Sequence, residues 1–190
     1  MVVVTSPEVA DGKTTVATNL ATALANTGQR VVLIDGDMRK PRLHSIFDEN
    51  PDAGLAKLLD EDVTGPLFAT YIRATEIPNL YLLPTKAVTE GLSRKLHSRR
   101  LPSLVEGLRS EFDVVIIDSP PMLHISDARV YGRLADGMVL VFRAGKTTRE
   151  AALSVYDCLV QDGIRVFGTI LNDCCLRKGE SYSSYLRAAS

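Results

Sequence analysis

Long apolar runs are missing from this chain. The longest are four or five residues, where a membrane-spanning helix takes about 20, and the start carries no signal-peptide pattern. Charge excess is missing too: 22 Lys and Arg stand against 23 Asp and Glu, net -1. Nothing in that balance asks for nucleic acid or an anionic membrane surface. Cysteine is scarce and odd in number, three in all, with Cys174 and Cys175 adjacent. That usage fits a reducing compartment; it speaks against a disulfide framework and, lacking ligand spacing, against a metal site. Internal repeats, low-complexity segments and domain boundaries are absent as well. What is present is 190 residues, 45% hydrophobic and 24% charged, enough for one domain with a full core. The chain reads as a single domain over 1–190 with a short tyrosine-containing tail, 181–190.

The first fifteen residues organise the rest. A β-branched run, Val2-Val3-Val4-Thr5, leads into a loop ending in Gly12-Lys13-Thr14, and Val16, Leu20 and Leu24 follow at spacing four. Strand, loop, helix is the order a phosphate-binding loop needs, because a helix start leaves N–H groups unpaired and carries partial positive charge. In that reading Lys13 reaches the terminal phosphates and the Thr14 hydroxyl completes a magnesium shell. The Walker pattern wants glycine where Pro7 stands, and Ala10 adds a methyl group close to the phosphates. Taken alone, Gly-Lys-Thr before a helix is often a turn with a solvated lysine. Two acidic motifs further along decide for the functional reading.

Buried-strand signals recur between helical ones, at 2–5, 30–35, 80–83, 113–118, 138–143 and 166–172. Runs such as Val31-Val32-Leu33-Ile34 and Val114-Val115-Ile116-Ile117 show no polar alternation, which is how strands covered on both faces read. Helical segments at 13–27, 101–111 and 148–162 lie between them, the first and last closed by Gly28 and Gly163. This alternation predicts an α/β domain, three layers α/β/α around a mainly parallel sheet. Right-handed crossovers then bring the strand ends to one rim, where ligands bind. The stretch 39–89, punctuated by five prolines, is the least regular.

Two strands end in acids at that rim. Val31-Val32-Leu33-Ile34 runs into Asp35-Gly36-Asp37, and Val114-Val115-Ile116-Ile117 into Asp118-Ser119-Pro120-Pro121. Carboxylates facing a phosphate loop can hold Mg²⁺ or accept a proton from an attacking hydroxyl. Asp-Gly is also a common turn dipeptide, and an apolar strand ending in Asp arises by chance in many α/β chains. Three such motifs on successive strands are far harder to obtain by accident.

The trio 7–14, 32–39 and 115–121 resembles the Walker A, Walker A′ and Walker B set of the bacterial tyrosine kinases, the cytoplasmic catalytic domains of polysaccharide co-polymerases. The likeness covers nearly the whole chain. Asp35-Gly36-Asp37-Met38-Arg39-Lys40-Pro41-Arg42-Leu43-His44 follows the extended A′ segment, which ordinary P-loop kinases lack. Arg143-Ala144-Gly145-Lys146-Thr147 and Gly168-Thr169-Ile170-Leu171-Asn172 also resemble family sequence. The resemblance implies a P-loop NTPase fold with deviant Walker motifs and an ATP-dependent, autophosphorylating tyrosine kinase that governs exopolysaccharide or capsule synthesis.

Residue by residue, it implies that Val9, Ala10, Asp11, Gly12, Lys13, Thr14 and Thr15 surround ATP, with Lys13 on the β- and γ-phosphates. Thr14 and Asp118 hold Mg²⁺, and Asp37 supports the metal. Asp35 is the candidate base, rigid at the strand end, whereas Asp37 follows a Gly36 expected to be flexible. Asn172 matches the adenine-contacting position of the wider ATPase class, a turn-forming Asn being the other reading. Arg39 either neutralises phosphate or pairs with a nearby acid. Tyr182 and Tyr185, in a Ser-rich tail, stand where the family is autophosphorylated in trans.

The resemblance further implies a membrane-embedded activator, or a transmembrane region ahead of this sequence, and a ring-forming homo-oligomer without nucleic acid. The place of action is then the cytoplasmic face of the bacterial inner membrane, this fragment itself being soluble. A chain that opens directly on a strand is expected to be a piece of something longer. Two other functions compete. A partition- or division-type ATPase carries a signature lysine where Glu8 stands here, which reverses the charge. A co-polymerase regulatory domain with little kinase activity is the other, favoured by Pro7 and the sparse tyrosines.

Overall fold

Among the described residues seven strands form one sheet in the order β3-β4-β2-β5-β1-β6-β7. They are β1 (Val2–Thr5), β2 (Val31–Asp35), β3 (Arg73–Ala74), β4 (Leu80–Leu83), β5 (Val114–Asp118), β6 (Gly137–Arg143) and β7 (Val166–Asn172). All neighbours run parallel except β3, which lies antiparallel along β4 at one edge. The computed structural model describes residues 1–51, 54–60, 70–123 and 125–174. Tyr182, Tyr185 and the rest of the expected tail lie outside the described residues.

Helices cover both faces, and the period of two along each strand sorts the side chains between them. Val3, Val32, Ile34, Val115 and Ile117 join one core with α5 (Arg100–Glu111), α6 (Asp127–Gly132) and α7 (Arg149–Gln161). Val4, Val31, Leu33 and Ile116 join the other, under α1 (Lys13–Asn26). The short helices α2 (Leu43–Ile46), α3 (Leu55–Leu58) and α4 (Leu92–Leu96) fall in the proline-punctuated region and after it. α1 places Ala17, Ala21 and Ala25 against the sheet, while Val16, Leu20 and Leu24 are only partly buried beside that stripe. A face of alanines lets the helix axis approach the strands closely. Gly28, with φ 88°, follows the end of α1, and Thr148 caps α7 by accepting a hydrogen bond from the Ala151 amide at 3.1 Å.

β7 corrects one expectation. Its bounds are those read from the sequence, but it is an exposed edge strand, with Phe167, Ile170 and Leu171 all open. The apolar run reported a strand, and only the strand order tells that no further strand or helix covers it among the described residues. Among those residues, too, no helix is long and apolar enough to cross a membrane.

The sheet order positions the chemistry. β5 lies between β2 and β1, with Asp35 beside Asp118 and Val4 beside Asp118 in register. The carboxyl ends of the three motif-bearing strands are therefore adjacent at one rim, as ligand sites of open parallel sheets require.

Candidate active site

The loop from Thr5 to α1 is held by its own polar groups. The Ser6 hydroxyl donates to the Glu8 carbonyl at 2.7 Å, and the Glu8 amide donates to Asp11 Oδ2 at 3.0 Å. Asp11 is fully buried, so its carboxylate serves the loop rather than a ligand. Ala10 (φ 65°) and Gly12 (φ 94°) turn the chain. Two cations from the turn after β6 fasten the outer side: Lys146 Nζ donates to the Val9 carbonyl at 2.6 Å, and Arg143 Nη1 to the Ala10 carbonyl at 3.1 Å. Lys146 Nζ also lies 3.7 Å from Asp11 Oδ1. These contacts hold the loop in shape although Pro7 and Ala10 stand at positions that favour smaller residues. Pro7 itself is buried, and its carbonyl accepts the Leu123 amide at 3.1 Å, tying this loop to the one after β5.

No side chain caps α1 at Gly12, so the first amides of the helix face outward unpaired, the condition for an anion site. A cavity of about 310 Å³ opens there, with Gly12, Lys13, Thr14, Thr15, Arg42 and Asn172 in its wall. Ala10 lines it as well, whereas Val9 and Asp11 do not. Asn172, at the end of β7, donates from Nδ2 to the Asp11 carbonyl at 3.0 Å and thereby supports the loop from behind.

The A′ segment is clamped at every turn. The Gly36 amide donates to the Asp118 carbonyl at 2.8 Å, and the buried Tyr131 hydroxyl donates to the Gly36 carbonyl at 3.1 Å. A Cβ on Gly36 would lie 2.6 Å from Ile117 Cγ2. Gly36 is therefore a close-packing glycine and not the flexible joint expected. Asp37 Oδ1 accepts the Lys40 amide at 3.1 Å, and Arg39 pairs with Asp127 at 2.8 and 3.3 Å. Of the two uses considered for Arg39, the structure shows the pairing with an acid. Asp35 Oδ2 accepts the amides of Arg42 and Leu43 at 3.0 and 2.9 Å.

Three carboxylates thus meet at the rim, Asp35 beside Asp118 in register and Asp37 facing Lys13, whose Nζ stands 3.5 Å from Asp37 Oδ2. Burial pushes Asp35 up to about 7, helped by the Asp118 and Asp37 charges and opposed by its two amide donors. Burial likewise raises Asp118 to about 6, with the Lys13 charge and the Thr14 hydroxyl pulling it back. Among the described residues Asp35 Oδ1 and Asp118 Oδ1 are buried without a hydrogen-bond partner. Asp118 Oδ1, on the carboxyl that the Thr14 hydroxyl also meets, suits Mg²⁺, which prefers one or two carboxylates together with phosphate and water. Among the described residues no group of three or more His, Cys, Asp or Glu is arranged to hold a metal ion by itself.

A pH dependence follows for the ligand-free protein. Asp35 and Asp118 titrate higher folded than unfolded, so between about pH 4 and pH 7 the native state holds protons the unfolded chain has lost. Stability is then greatest at the acid end of that window and falls by roughly 1–2 kcal/mol per pH unit as pH rises through it. Urea midpoints taken at about pH 5 and about pH 8 should decline between the two in wild type and decline less in Asp35→Asn. Equal slopes in the two proteins would show that Asp35 is not the source.

A parallel sheet, a glycine-lysine-threonine loop at a helix start and acids on the neighbouring strand ends define a P-loop nucleotide-binding domain. Residues 9–141 match the AAA domain family. The chain is 32% identical over 182 residues to the putative tyrosine-protein kinase CapB of Staphylococcus aureus, covering 96% of this chain and 78% of that protein. The kinase domain of Escherichia coli tyrosine kinase ETK superposes with a TM-score of 0.87 at 30% identity, over 95% of this chain and 70% of that one. The septum site-determining protein MinD of Pyrococcus horikoshii, complexed with Mg-ADP, gives 0.74 at 27% identity, over 95% and 71%. The chain belongs to the bacterial tyrosine-kinase family, whose kinase domains share its fold.

Lys13, Thr14, Asp35, Asp37, Asp118 and Asn172, all legible in the sequence as site residues, come to one rim in the structure. Arg143 and Lys146 have no work assigned by the sequence pattern, and Arg42 does not stand out in it. The signal was present, in cations two residues before and one residue after Gly145 and after Pro41, but their targets are backbone carbonyls and a cavity that only folding creates.

Proposed function

We propose that this domain transfers the γ-phosphoryl group of ATP to tyrosine within an exopolysaccharide or capsule system. The observation that carries the reading is the meeting of Asp35, Asp37 and Asp118 beside Lys13 and the free start of α1. In this reading the amides of the loop through Thr15 hold the phosphates, and Lys13 neutralises their outer end. Thr14, Asp37 and Asp118 hold Mg²⁺, which offsets phosphate charge and the mutual repulsion of the acids. Asn172 serves the adenine side of the cavity while supporting the loop.

The tyrosine oxygen forms a bond to the γ-phosphorus as the bond from that phosphorus to the bridging oxygen breaks, and the phenol proton passes to Asp35. A phenol has a pKa near ~10, so the carboxylate assists as bonding develops, not beforehand. Tyr182 and Tyr185 are the proposed acceptors, in trans between subunits of a ring. A membrane-embedded activator, or a transmembrane region ahead of this sequence, holds the ring on the cytoplasmic face of the inner membrane.

The test has two arms. Lys13→Ala should bind ATP·Mg²⁺ at least about tenfold more weakly by calorimetry, since a hydrogen bond to a charged group is worth roughly 1.5–3 kcal/mol. A Lys13→Met acceptor with its tail intact, mixed with a donor carrying Tyr182→Phe and Tyr185→Phe and supplied with its activator, should gain phosphate on Tyr182 and Tyr185. Release of free phosphate without phosphotyrosine would point to the partition-type ATPase, and neither product to a regulatory domain.

A further inference from the structure

Three cations stand in the wall of the nucleotide cavity: Lys13, Arg42 and Arg143. Two are engaged. Lys13 faces Asp37 at 3.5 Å, and Arg143 is tied to Asp173 at 2.8 Å and to the Ala10 carbonyl at 3.1 Å. Arg39, the arginine that the A′ segment would first suggest for phosphate, is held by Asp127. Among the described residues the guanidinium of Arg42 has neither an ion pair nor a hydrogen bond.

The backbone of Arg42 is fixed all the same. Its amide donates to Asp35 Oδ2 at 3.0 Å, and its carbonyl accepts the Ser45 amide at 3.1 Å. A long cationic side chain therefore leaves a rigid point on the A′ segment and enters the cavity wall beside Lys13 and Thr14. Its charge is also felt at Asp118, whose carboxyl it helps to pull down. The same wall holds Lys13 and Thr14, whose charge and hydroxyl also act on Asp118.

We propose that Arg42 binds the γ-phosphate end of the nucleoside triphosphate and is a catalytic residue of this domain, an in-chain counterpart of an arginine finger. The inference rests on the nucleotide reading of the site given above. Phosphoryl transfer spreads charge over the three oxygens of the moving group, so its catalysis is mostly alignment and neutralisation. A guanidinium suits the task because its planar donors can meet two oxygens at once, where the Lys13 ammonium offers a point charge. Arg42 takes up neither the proton nor the electron pair; it acts by charge alone.

Calorimetry on the whole chain separates this role from that of a solvated arginine at the cavity mouth. Wild type, Arg42→Gln and Arg42→Lys are titrated with ADP·Mg²⁺ and with AMP-PNP·Mg²⁺, a triphosphate analogue that is not hydrolysed. Arg42→Gln should bind AMP-PNP about 10–100-fold more weakly and ADP within about threefold of wild type, because one charged contact is lost only where a γ-phosphate exists. Arg42→Lys should recover part of the loss, having the charge without the fork. Since the side chain is exposed and its backbone contacts survive substitution, thermal midpoints should not move. Equal losses for the two nucleotides, or no loss for either, would overturn the assignment. Wild type that bound neither nucleotide would refute the ATP reading itself, a separate outcome visible before any variant is compared.

Discussion

Asp35→Asn is expected to bind ATP·Mg²⁺ close to normally and to phosphorylate tyrosine about 10²–10⁴-fold more slowly, the usual contribution of general-base help. Asp35 closes β2 in register with Asp118, and the amides of Arg42 and Leu43 grip one of its oxygens. The other oxygen, Oδ1, is buried and has no partner among the described residues. Such a carboxylate is oriented by its first oxygen and able to accept a proton on its second. Burial also brings its titration to about 7, near the pH at which a base works best. Asn keeps an acceptor for the two amides but cannot take the proton, so the fold and the cradle survive the change. Asp37 is held just as firmly, through Lys40 and the packed Gly36, so rigidity does not separate the two acids. What does is the position of Asp37 across from Lys13, which suits metal and phosphate charge. Asp37→Asn should therefore raise the magnesium requirement. Single-turnover rates at saturating ATP·Mg²⁺ decide the matter; a normal rate in Asp35→Asn with a lost one in Asp37→Asn would make Asp37 the base.

The parts of this molecule readable from sequence share one property: their signal is local. β2 and β5 announce themselves as unbroken apolar runs because both faces of each are covered, by α1 on one side and by the α5–α7 layer on the other. The P-loop is legible because a helix start and its lysine are neighbours in the chain. Parts that escaped depend on partners distant in sequence. Asp-Gly reads as a turn wherever it occurs, and nothing near Gly36 reports that Ile117, Asp118 and Tyr131 close on it. The stripe Val16, Leu20, Leu24 is the more apolar one, yet the alanines next to it face the sheet, because close approach of helix and strand favours small side chains there. β7 carries Val166, Phe167, Ile170 and Leu171 and becomes an edge only through the strand order. The same holds for the cations. Arg143 and Lys146 reach the P-loop across more than 130 residues of sequence, a distance that no spacing pattern spans.

Gly12→Ala is expected to damage both stability and nucleotide binding, and Asn172 is expected to determine how much. Gly12 has φ 94°, a conformation that an alanine adopts at a cost of roughly 1–2 kcal/mol. A Cβ there would lie 1.9 Å from Asn172 Nδ2 and 3.1 Å from its Cγ. The amide must then leave, giving up its hydrogen bond to the Asp11 carbonyl, which is worth about 0.5–1.5 kcal/mol. Together these losses come to about 2–3 kcal/mol, a thermal midpoint lower by roughly 5–10 °C in a domain of this size. The anion site suffers as well, since the same loop presents the first amides of α1 to the phosphates. A double-mutant cycle divides the clash from the backbone strain. In an Asn172→Ala background the added methyl group meets the Cβ of residue 172 at an ordinary contact distance of 3.9 Å, so Gly12→Ala should cost only its conformational share, with a coupling of about 1 kcal/mol between the two positions. Thermal melts and calorimetry on the four proteins of the cycle measure it. Strict additivity would mean that Asn172 moves aside freely, and that Gly12 is required for its backbone angle alone.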